Sequence, residues 1–215
     1  MTTKERILAR ALQVFNEQGV DAVTVRTIAA ELGMSHGNLC YHFPNTEVII
    51  ERLYDELVVR LNTGIDALAV LSTVTMELLV ALSRQSFELL YDYRFLLRDF
   101  AGIMRRIPVL AGRHRELIGR RKTVFRFFLA QMRANGWYRP EPYPGFDEHF
   151  LEQVFIIGDF WLSSADVLYE GPETGKINHY LAVFQASLVP MFTEKGLEVW
   201  AGANGLEPGL RGFRD

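Results

Sequence analysis

Residues 24–46, TVRTIAAELGMSHGNLCYHFPNT, limit the possible fold more than any other stretch of the chain. Thr24 is a typical helix N-cap, Gly33 provides the left-handed backbone that ends a helix, and Ser35 is placed to cap the next one. The sequence therefore predicts two short helices joined by a turn of about three residues. The apolar residues of the first helix recur at steps of three and four and share one face: Val25, Ile28, Ala29 and Leu32.

The second predicted helix, residues 35–43, has the composition of a helix that is presented to a partner rather than buried. Leu39 and Phe43 form one apolar ridge for the core. Gly37 is unfavourable inside a helix by roughly 1 kcal/mol, which makes sense if the helix must approach a flat surface closely. Together the two helices predict a helix-turn-helix with residues 35–43 as its recognition helix. Other positions offer small or hydrogen-bonding groups: Ser35, His36, Gly37, Asn38, Tyr41 and His42.

This run, preceded by a capped helix of about fifteen residues, resembles the TetR/AcrR family of bacterial transcription regulators. The resemblance rests on the pattern T-x-R-x-I-A-x-E-x-G-x-S followed by G-x-L-x-Y-H-F-P-N. It implies an N-terminal three-helix DNA-binding head in residues 1–46 and a helical ligand-binding and dimerisation body in residues 47–215. The family also implies a homodimer that binds double-stranded operator DNA and a small-molecule effector.

Carried over residue by residue, the resemblance implies a DNA-binding surface with two kinds of contact. Thr24, Arg26 and Thr46 are expected to meet phosphates, and His42 to touch the backbone. The residues expected to face the major groove or its walls are Ser35, His36, Gly37, Asn38 and Tyr41.

Three positions depart from the common family pattern. His36 and Thr46 stand where lysines are frequent, so we expect a flatter salt dependence of DNA binding. Cys40 replaces a frequent tyrosine. It is either a redox sensor at the DNA surface or a small residue at a partly buried site, and the sequence leaves both interpretations open.

The composition is that of an ordinary globular protein with segregated charge. The net charge is −3 over 215 residues, yet residues 91–139 hold twelve Lys and Arg against three acids, a net charge of +9, while residues 1–46 are neutral. A single cysteine excludes an internal disulfide and favours a reducing compartment. No apolar run approaches the length of a membrane span and the start is polar, so we expect a cytoplasmic protein without a membrane partner.

The chain is predicted to be all-α, because no strand-like alternation occurs. Residues 139–146 hold three prolines and a glycine and predict a loop, and Pro190 is expected to kink or shorten the last helix. Beyond the helix-turn-helix, periodicity predicts helices over about 2–18, 45–70, 73–92, 94–105, 108–134, 147–169 and 175–195.

The two last predicted helices, 147–169 and 175–195, point to association. The first is apolar on nearly every side, so one subunit of this size can hardly cover it. We therefore expect a two-fold dimer through these helices. The alternative, a fully internal pair of core helices, stays open.

Two charged stripes and a possible cavity occupy the predicted body. On helical wheels Arg115, Lys122, Arg126 and Arg133 share one edge, as do Glu148, Glu152, Asp159 and Asp166, and adjacent antiparallel helices would pair them. His114 and Arg121 fall within an apolar face. They either pair with Asp159 or Asp166, or they meet the polar end of an amphipathic or anionic ligand in a cavity. The expected aromatic residues of that cavity are Phe87, Tyr91, Phe95, Phe128 and Trp161.

Catalysis finds no support in the sequence. There is no glycine-rich phosphate loop and no nucleophile elbow, and the five histidines lack metal-ligand spacing, so we expect neither enzyme activity nor a cofactor or metal. The sequence favours a homodimeric, ligand-responsive repressor that binds a palindromic operator. The alternative is a helical ligand-binding or protein-interaction module whose neutral head binds DNA weakly.

Overall fold

The computed structural model describes residues 1–69 and 74–206, and only the backbone of residues 65–69. In this part of the chain the regular structure is helical, apart from one isolated antiparallel bridge between Tyr138 and Phe192. Two short 3-10 turns lie at Glu173–Gly175 and Val189–Met191. The helices are α1 Thr3–Gln18, α2 Val25–Glu31, α3 His36–His42, α4 Thr46–Ala69, α5 Met76–Asp92, α6 Arg94–Arg98, α7 Phe100–Arg106, α8 Pro108–Ala134, α9 Phe146–Leu168, α10 Lys176–Leu188 and α11 Glu194–Ala203.

The residues cluster into two compact units. The first unit consists of Met1–Asn62, Leu89–Leu117 and Asp159–Tyr169. The second unit consists of Thr63–Glu88, Ile118–Gly158 and the residues from Glu170 onward. The first unit therefore contains α1, α2 and α3, and the second contains α10 and α11.

Helix α1 anchors the core of the first unit. Thr2 and Glu5 form a capping box, which satisfies two of the backbone amides that a helix start leaves unpaired. The apolar face of the helix is buried, and its Phe15 ring stacks on Phe95 at a centroid distance of 5.1 Å. This packing joins α1 to α6.

Asn16, at the end of α1, is a buried polar residue with a structural role. Its Nδ2 donates to the backbone carbonyl of Asp92 at 2.8 Å, and its Oδ1 accepts from the backbone amide of Phe95 at 3.0 Å. Because these two backbone groups lie where α5 ends and α6 begins, one side chain satisfies both at the break between the helices.

The second unit is built around aromatic and aliphatic side chains. Leu151, Phe150 and Phe192 are almost completely buried in its core. The start of α11 is tied to the turn after α8, since the Thr193 amide donates to the Trp137 carbonyl at 3.0 Å. A Cβ added at Gly196 would lie 2.0 Å from the same carbonyl oxygen, so only glycine fits there.

The all-α prediction is confirmed, and most predicted helices agree with the structure within a few residues. The expected shortening of the last predicted helix at Pro190 is confirmed, since this helix ends at Leu188 and Pro190 lacks the amide that would continue it. Two points differ. The predicted helix over 94–105 is two short helices that meet at Asp99. Helix α11 was not predicted. The predicted boundaries at residues 70 and 73 lie outside the described residues.

No helix in the described residues is long and apolar enough to cross a membrane. Within the same residues, no group of three or more His, Cys, Asp or Glu side chains is placed to hold a metal ion.

Candidate nucleic-acid interface and apolar cavity

The turn between α2 and α3 is fixed by its end residues. The Thr24 hydroxyl accepts from the Thr27 amide at 3.1 Å and so caps α2, and the Ser35 hydroxyl accepts from the Asn38 amide at 3.2 Å and caps α3. Gly33 has φ +63°, the left-handed conformation that the sequence predicted at the end of α2. The predicted helix-turn-helix is therefore present in the structure.

Helix α3 has two contrasting faces. Leu39 is completely buried and Phe43, which follows the helix, is 5% exposed, so this side anchors α3 to the first unit. Tyr41 is 86% exposed on the other side, and His42 is half-buried. The exposed residues of this outer face and of the nearby start of α2 are Thr24, Arg26, Ser35, His36, Gly37, Asn38 and Tyr41.

Gly37 is not required by the packing of the chain. A Cβ added at Gly37 would meet nothing within 4 Å, and its φ is not left-handed. Because glycine destabilises a helix interior relative to alanine by roughly 0.5–1 kcal/mol, the free protein gains nothing from it. The position is open to a close approach from outside.

The start of α4 holds Thr46, for which the family resemblance implies a phosphate contact. This residue is 7% exposed, and its hydroxyl accepts from Arg106 Nη2 at 3.4 Å. Arg106 Nε also donates to Glu47 Oε1 at 2.8 Å, and Nη1 lies 3.5 Å from Asp21 Oδ1. The Thr46 side chain is therefore engaged inside the protein.

Arg106 also sets the ionisation of Glu47. Partial burial tends to raise the pKa of Glu47, but the hydrogen bond from Arg106, a backbone hydrogen bond and the guanidinium charge outweigh it and lower that pKa below its ordinary value. Glu47 is thus held as a carboxylate at the first turn of α4, where a negative charge also suits the helix dipole.

Cys40 has a neighbour one helical turn away. Its Sγ lies 3.4 Å from His36 Nε2, a distance within hydrogen-bonding range for sulfur. Cys40 is partly buried, in agreement with one of the two interpretations of the sequence.

His114 pairs with an acid, which was one of the two predicted alternatives. Its Nε2 lies 3.1 Å from Asp159 Oδ2, and because a carboxylate only accepts, Nε2 is the donor. Its Nδ1 lies 3.0 Å from the Tyr54 hydroxyl. Both ring nitrogens therefore have partners within the first unit.

The residues expected to form one effector cavity lie in different units. Four belong to the first unit, where Tyr91 and Trp161 stack on each other at 6.4 Å, Phe95 stacks on Phe15, and His114 is paired as described. Phe87, Arg121 and Phe128 belong to the second unit.

The second unit contains a partly open cavity of about 80 Å³, lined by residues of α5, α8, α9, α10 and α11 and by Phe192. Phe128 lines it, and Phe87 packs beside it, its ring 5.6 Å from that of the lining residue Phe184. Sequence reasoning missed the other walls, which come from five helices. Examples are Met76, Val80, Met132, Val154, Gln185 and Trp200.

The predicted charged stripes pair in part along α8 and α9. Lys122 Nζ lies 3.1 Å from Glu152 Oε1, and Arg126 Nε lies 2.5 Å from Glu148 Oε1. Arg133 instead pairs with Asp147 through two hydrogen bonds of 2.6 and 2.7 Å. These basic residues are thus engaged in ion pairs along the two helices.

Several apolar residues of α9 and α10 are exposed. Ile156 is 59% exposed and Phe160 is 43% exposed, four residues apart on one face of α9. Val167, on the same helix, and Val183, on α10, are also exposed. A Cβ added at Gly158 would meet nothing within 4 Å, so the backbone is open to close approach there.

Comparison with known proteins finds two family models that match successive parts of this chain. A family model described as "Bacterial regulatory proteins, tetR family" matches residues 7–53, and one described as "Bacterial transcriptional repressor" matches residues 61–199. The tetracycline repressor protein class D of Escherichia coli is 32% identical over 57 residues, 26% of either chain. The match thus spans about a quarter of the length of that curated relative.

Solved structures share the fold over nearly the whole chain. A TetR-family transcriptional regulator from Marinobacter aquaeolei VT8 is 24% identical, with a TM-score of 0.84, over 97% of this chain and 100% of the other. The ketosteroid transcriptional regulator KstR2 of Mycobacterium tuberculosis is 23% identical, with a TM-score of 0.60, over 90% and 96% of the two chains. At these identities the likeness concerns the fold.

Proposed function

The chain belongs to the TetR family of bacterial transcriptional regulators, and from this premise we propose that it is a homodimeric repressor that binds a palindromic operator and is released by a small-molecule effector. The family and fold are those of regulators rather than enzymes. The observation that carries the proposal is the outer face of α3, which exposes polar groups while Leu39 anchors the helix from behind.

The outer face of α3 is suited to a DNA groove in size and chemistry. A single α-helix fits the major groove, and hydroxyl, amide and imidazole groups can hydrogen-bond to base edges and phosphates. Gly37 permits the backbone to come close to the groove wall. We assign residues 1–46 to the DNA-binding domain and residues 47–215 to the ligand-binding and dimerisation domain.

The assigned contacts come from the family resemblance, and the exposure of these residues supports them. Arg26 and Thr24 meet phosphates from the start of α2, and Asn38 is placed to read a base, for which adenine is the usual partner of asparagine. Thr46 joins the phosphate contacts only if Arg106 releases its hydroxyl. The groove-facing set is Ser35, His36, Gly37, Asn38 and Tyr41, with His42 at the backbone.

A DNA titration tests this assignment. Fluorescence anisotropy would compare the duplex upstream of the protein's own gene with a scrambled duplex at two salt concentrations. We expect saturable, salt-sensitive binding that prefers the upstream duplex. Arg26→Ala should reduce the log–log salt slope by about two per dimer, because each phosphate contact contributes roughly one unit.

The matched control is Arg120→Ala, which removes the same charge from an exposed position in the second unit. It should leave the slope unchanged. Equal affinity for both duplexes would refute sequence-specific operator binding and favour the alternative, a helical ligand-binding or interaction module with weak DNA binding.

We assign the dimer interface to the exposed apolar faces of α9 and α10. A partner helix would cover Ile156 and Phe160, and Gly158 lets it approach closely. A repressor of this kind needs two copies, because two recognition helices must enter successive major grooves about one duplex turn apart.

Sedimentation velocity tests the interface. Ile156→Glu should convert the dimer to a monomer, because a charge would be buried against an apolar partner surface. Val109→Glu on α8 is the control, since Val109 has similar exposure but lies outside the proposed interface. A wild-type protein that sediments as a monomer at micromolar concentration would overturn the dimer.

The effector is assigned to the cavity of the second unit. Its binding would favour a conformation of the dimer with lower DNA affinity, so it would act by shifting a population rather than by chemistry. Ligand titrated into the preformed protein–DNA complex should lower the anisotropy. A cavity ligand that leaves DNA affinity unchanged would refute the effector role.

A further inference from the structure

Arg106, near the end of α7, contacts the proposed DNA-binding region within the first unit. Its Nε and Nη2 both donate to Glu47 Oε1, at 2.8 and 2.5 Å, and Nη2 also lies 3.4 Å from the Thr46 hydroxyl. Thr46 begins α4, four residues after His42 ends α3. The Arg106 guanidinium therefore lies beside the position at which the proposed function places a DNA phosphate.

The proposed DNA-binding domain has few cations of its own. Residues 1–46 carry no net charge, whereas residues 91–139, which include Arg106, carry a net charge of +9. Within residues 1–46, Arg10 is already paired with Glu31. Because cations that neutralise phosphates supply most of the sequence-independent affinity for DNA, a basic side chain from outside residues 1–46 would strengthen this surface.

One end of the Arg106 guanidinium is weakly engaged. Nε and Nη2 are directed to Glu47 and Thr46, but among the described residues Nη1 meets only Asp21 Oδ1, at 3.5 Å, which is long for a hydrogen bond. The Asp21 side chain is 93% exposed, and exposed ion pairs of this kind contribute little stability. Nη1 can therefore exchange Asp21 for a phosphate oxygen while the contacts with Glu47 are kept.

Glu47 is suited to hold Arg106 in this orientation. Partial burial opposes its ionisation, but the hydrogen bond from Arg106 outweighs the burial, and the pKa of Glu47 lies below its ordinary value. Glu47 is thus a carboxylate at neutral pH and keeps Nε and Nη2 occupied. An arginine fixed in this way presents its remaining N–H groups in a defined direction, which favours a charge-assisted hydrogen bond to phosphate.

We propose that Arg106 is a DNA-phosphate contact, that Glu47 is its positioning residue, and that Asp21 competes with the phosphate for Nη1. The inference rests on the proposed function. It adds to the DNA-binding surface a residue that lies sixty positions beyond the helix-turn-helix and that the sequence pattern did not indicate.

The salt dependence of DNA binding tests the phosphate contact. Fluorescence anisotropy of the full chain, with the upstream and scrambled duplexes, should show that Arg106→Ala weakens binding to both by a similar factor and lowers the log–log salt slope by about two per dimer. Arg105→Ala removes the same charge from the exposed neighbouring residue and should leave the slope nearly unchanged. Arg106→Lys keeps the charge and should retain most of the slope.

Asp21→Asn tests the competition and leaves Arg106 in place. It should tighten DNA binding by at least about threefold, because it removes the competitor of the phosphate from each subunit. In the Arg106→Ala background the same substitution should have no larger effect than the control Glu17→Gln, which removes a negative charge from an exposed position of α1. Circular dichroism establishes that each variant is folded.

The outcomes separate this inference from the proposed function. An unchanged slope for Arg106→Ala, or equal changes for Arg105→Ala and Arg106→Ala, overturns the phosphate contact and leaves operator binding to the comparison of the two duplexes. Equal tightening by Asp21→Asn with and without Arg106 shows that Asp21 only repels DNA, and it overturns the exchange at Nη1. Equal wild-type affinity for both duplexes refutes operator recognition, while the slopes still decide the role of Arg106. No binding to either duplex overturns both proposals.

Discussion

The outer face of α3 and the cavity of the second unit are the two candidate binding surfaces, and they are built in opposite ways. The α3 face is exposed and polar, and it comes from seven consecutive residues and their neighbours. The cavity is partly open and largely apolar, and its walls come from five helices that are distant in sequence. The first surface is the one that we propose binds DNA, and the second is the one that we propose holds the effector.

Each surface has a feature that makes the free protein less stable than it could be. Gly37 leaves a helix position without the side chain that would favour the helix, and the cavity leaves space unfilled in the second unit. Functional sites commonly show this trade-off between stability and activity. The comparison therefore predicts opposite responses of folding and binding to substitutions on the two surfaces.

The largest expected effect contrasts two aromatic truncations. Phe150→Ala in the cavity wall should lower the free energy of unfolding by about 3–5 kcal/mol, because Phe150 is 4% exposed and its loss leaves a larger void. Tyr41→Ala on α3 should change it by less than about 0.5 kcal/mol and weaken DNA binding instead. Urea denaturation measures the free energy of unfolding, and fluorescence anisotropy measures DNA binding. Similar losses of stability in the two variants would contradict the predicted difference between the two surfaces.

The next contrast concerns two asparagines of the first unit. Asn16→Ala should lower the free energy of unfolding by about 1–3 kcal/mol, because the Phe95 amide and the Asp92 carbonyl would each lose a hydrogen-bond partner. Asn38→Ala is exposed and should be nearly neutral for stability but weaken operator affinity about tenfold, the effect of roughly 1–3 kcal/mol per bidentate base contact. Equal DNA affinity of the Asn38 variant and wild type would remove Asn38 from the groove contacts.

A glycine pair gives a smaller effect with a distinctive sign. Gly37→Ala should stabilise the free protein by about 0.5–1 kcal/mol and at the same time weaken DNA binding, because the added methyl group occupies the space left for the groove wall. Gly196→Ala should destabilise, since its Cβ would collide with the Trp137 carbonyl. Thermal unfolding shows whether each variant is stabilised or destabilised. Tighter DNA binding by the Gly37→Ala variant would contradict the proposed close approach of DNA to Gly37.

The smallest effect concerns the charge pair beside α3. The pKa of Glu47 is lowered in the folded state, so its pairing contributes stability above the ordinary carboxyl value of 4.5 and loses it as the pH falls through the lowered value. Arg106→Ala should therefore reduce the melting temperature near pH 7, by the equivalent of less than about 1 kcal/mol for such partly exposed groups. The difference from wild type should shrink below about pH 4.

Arg106→Lys is the conservative control for this prediction. It keeps the charge but not the forked geometry that reaches both Glu47 and Thr46, so it should recover only part of the loss. A difference between wild type and Arg106→Ala that stays constant from pH 7 to pH 3 would show that Glu47 does not cause it.

The sequence predicted the α3 face well because its information is local. Thr24, Gly33 and Ser35 fix the turn through contacts within four residues, and the spacing of Leu39 and Phe43 determines which side turns inward. A resemblance to a known family then gives roles to residues whose exposure the turn already determines. The contact of Thr46 is not local, because its hydroxyl accepts from Arg106, sixty residues away.

The residues that line the cavity could not be predicted from helical periodicity. A helical wheel identifies an apolar face but not which faces meet, so it names Phe128 but not the residues of the other helices that line the cavity with it. The wheel correctly flagged His114 as needing a partner and named Asp159 as a candidate. Helix α11 was hidden by Pro190 and by the short sequence between it and the preceding helix, although Thr193 followed by Glu194 is a recognisable helix start.

The attachment of α11 has a practical side. This helix is held to the turn after α8 by Thr193 and by the fit of Gly196 against Trp137. It also contributes Trp200 to the wall of the cavity. Cleavage just before Glu194 would separate α11 from the rest of the chain and remove one wall of the cavity. The helix-turn-helix would stay intact. Under the proposed function, the shortened protein should keep its DNA affinity and lose its response to the effector.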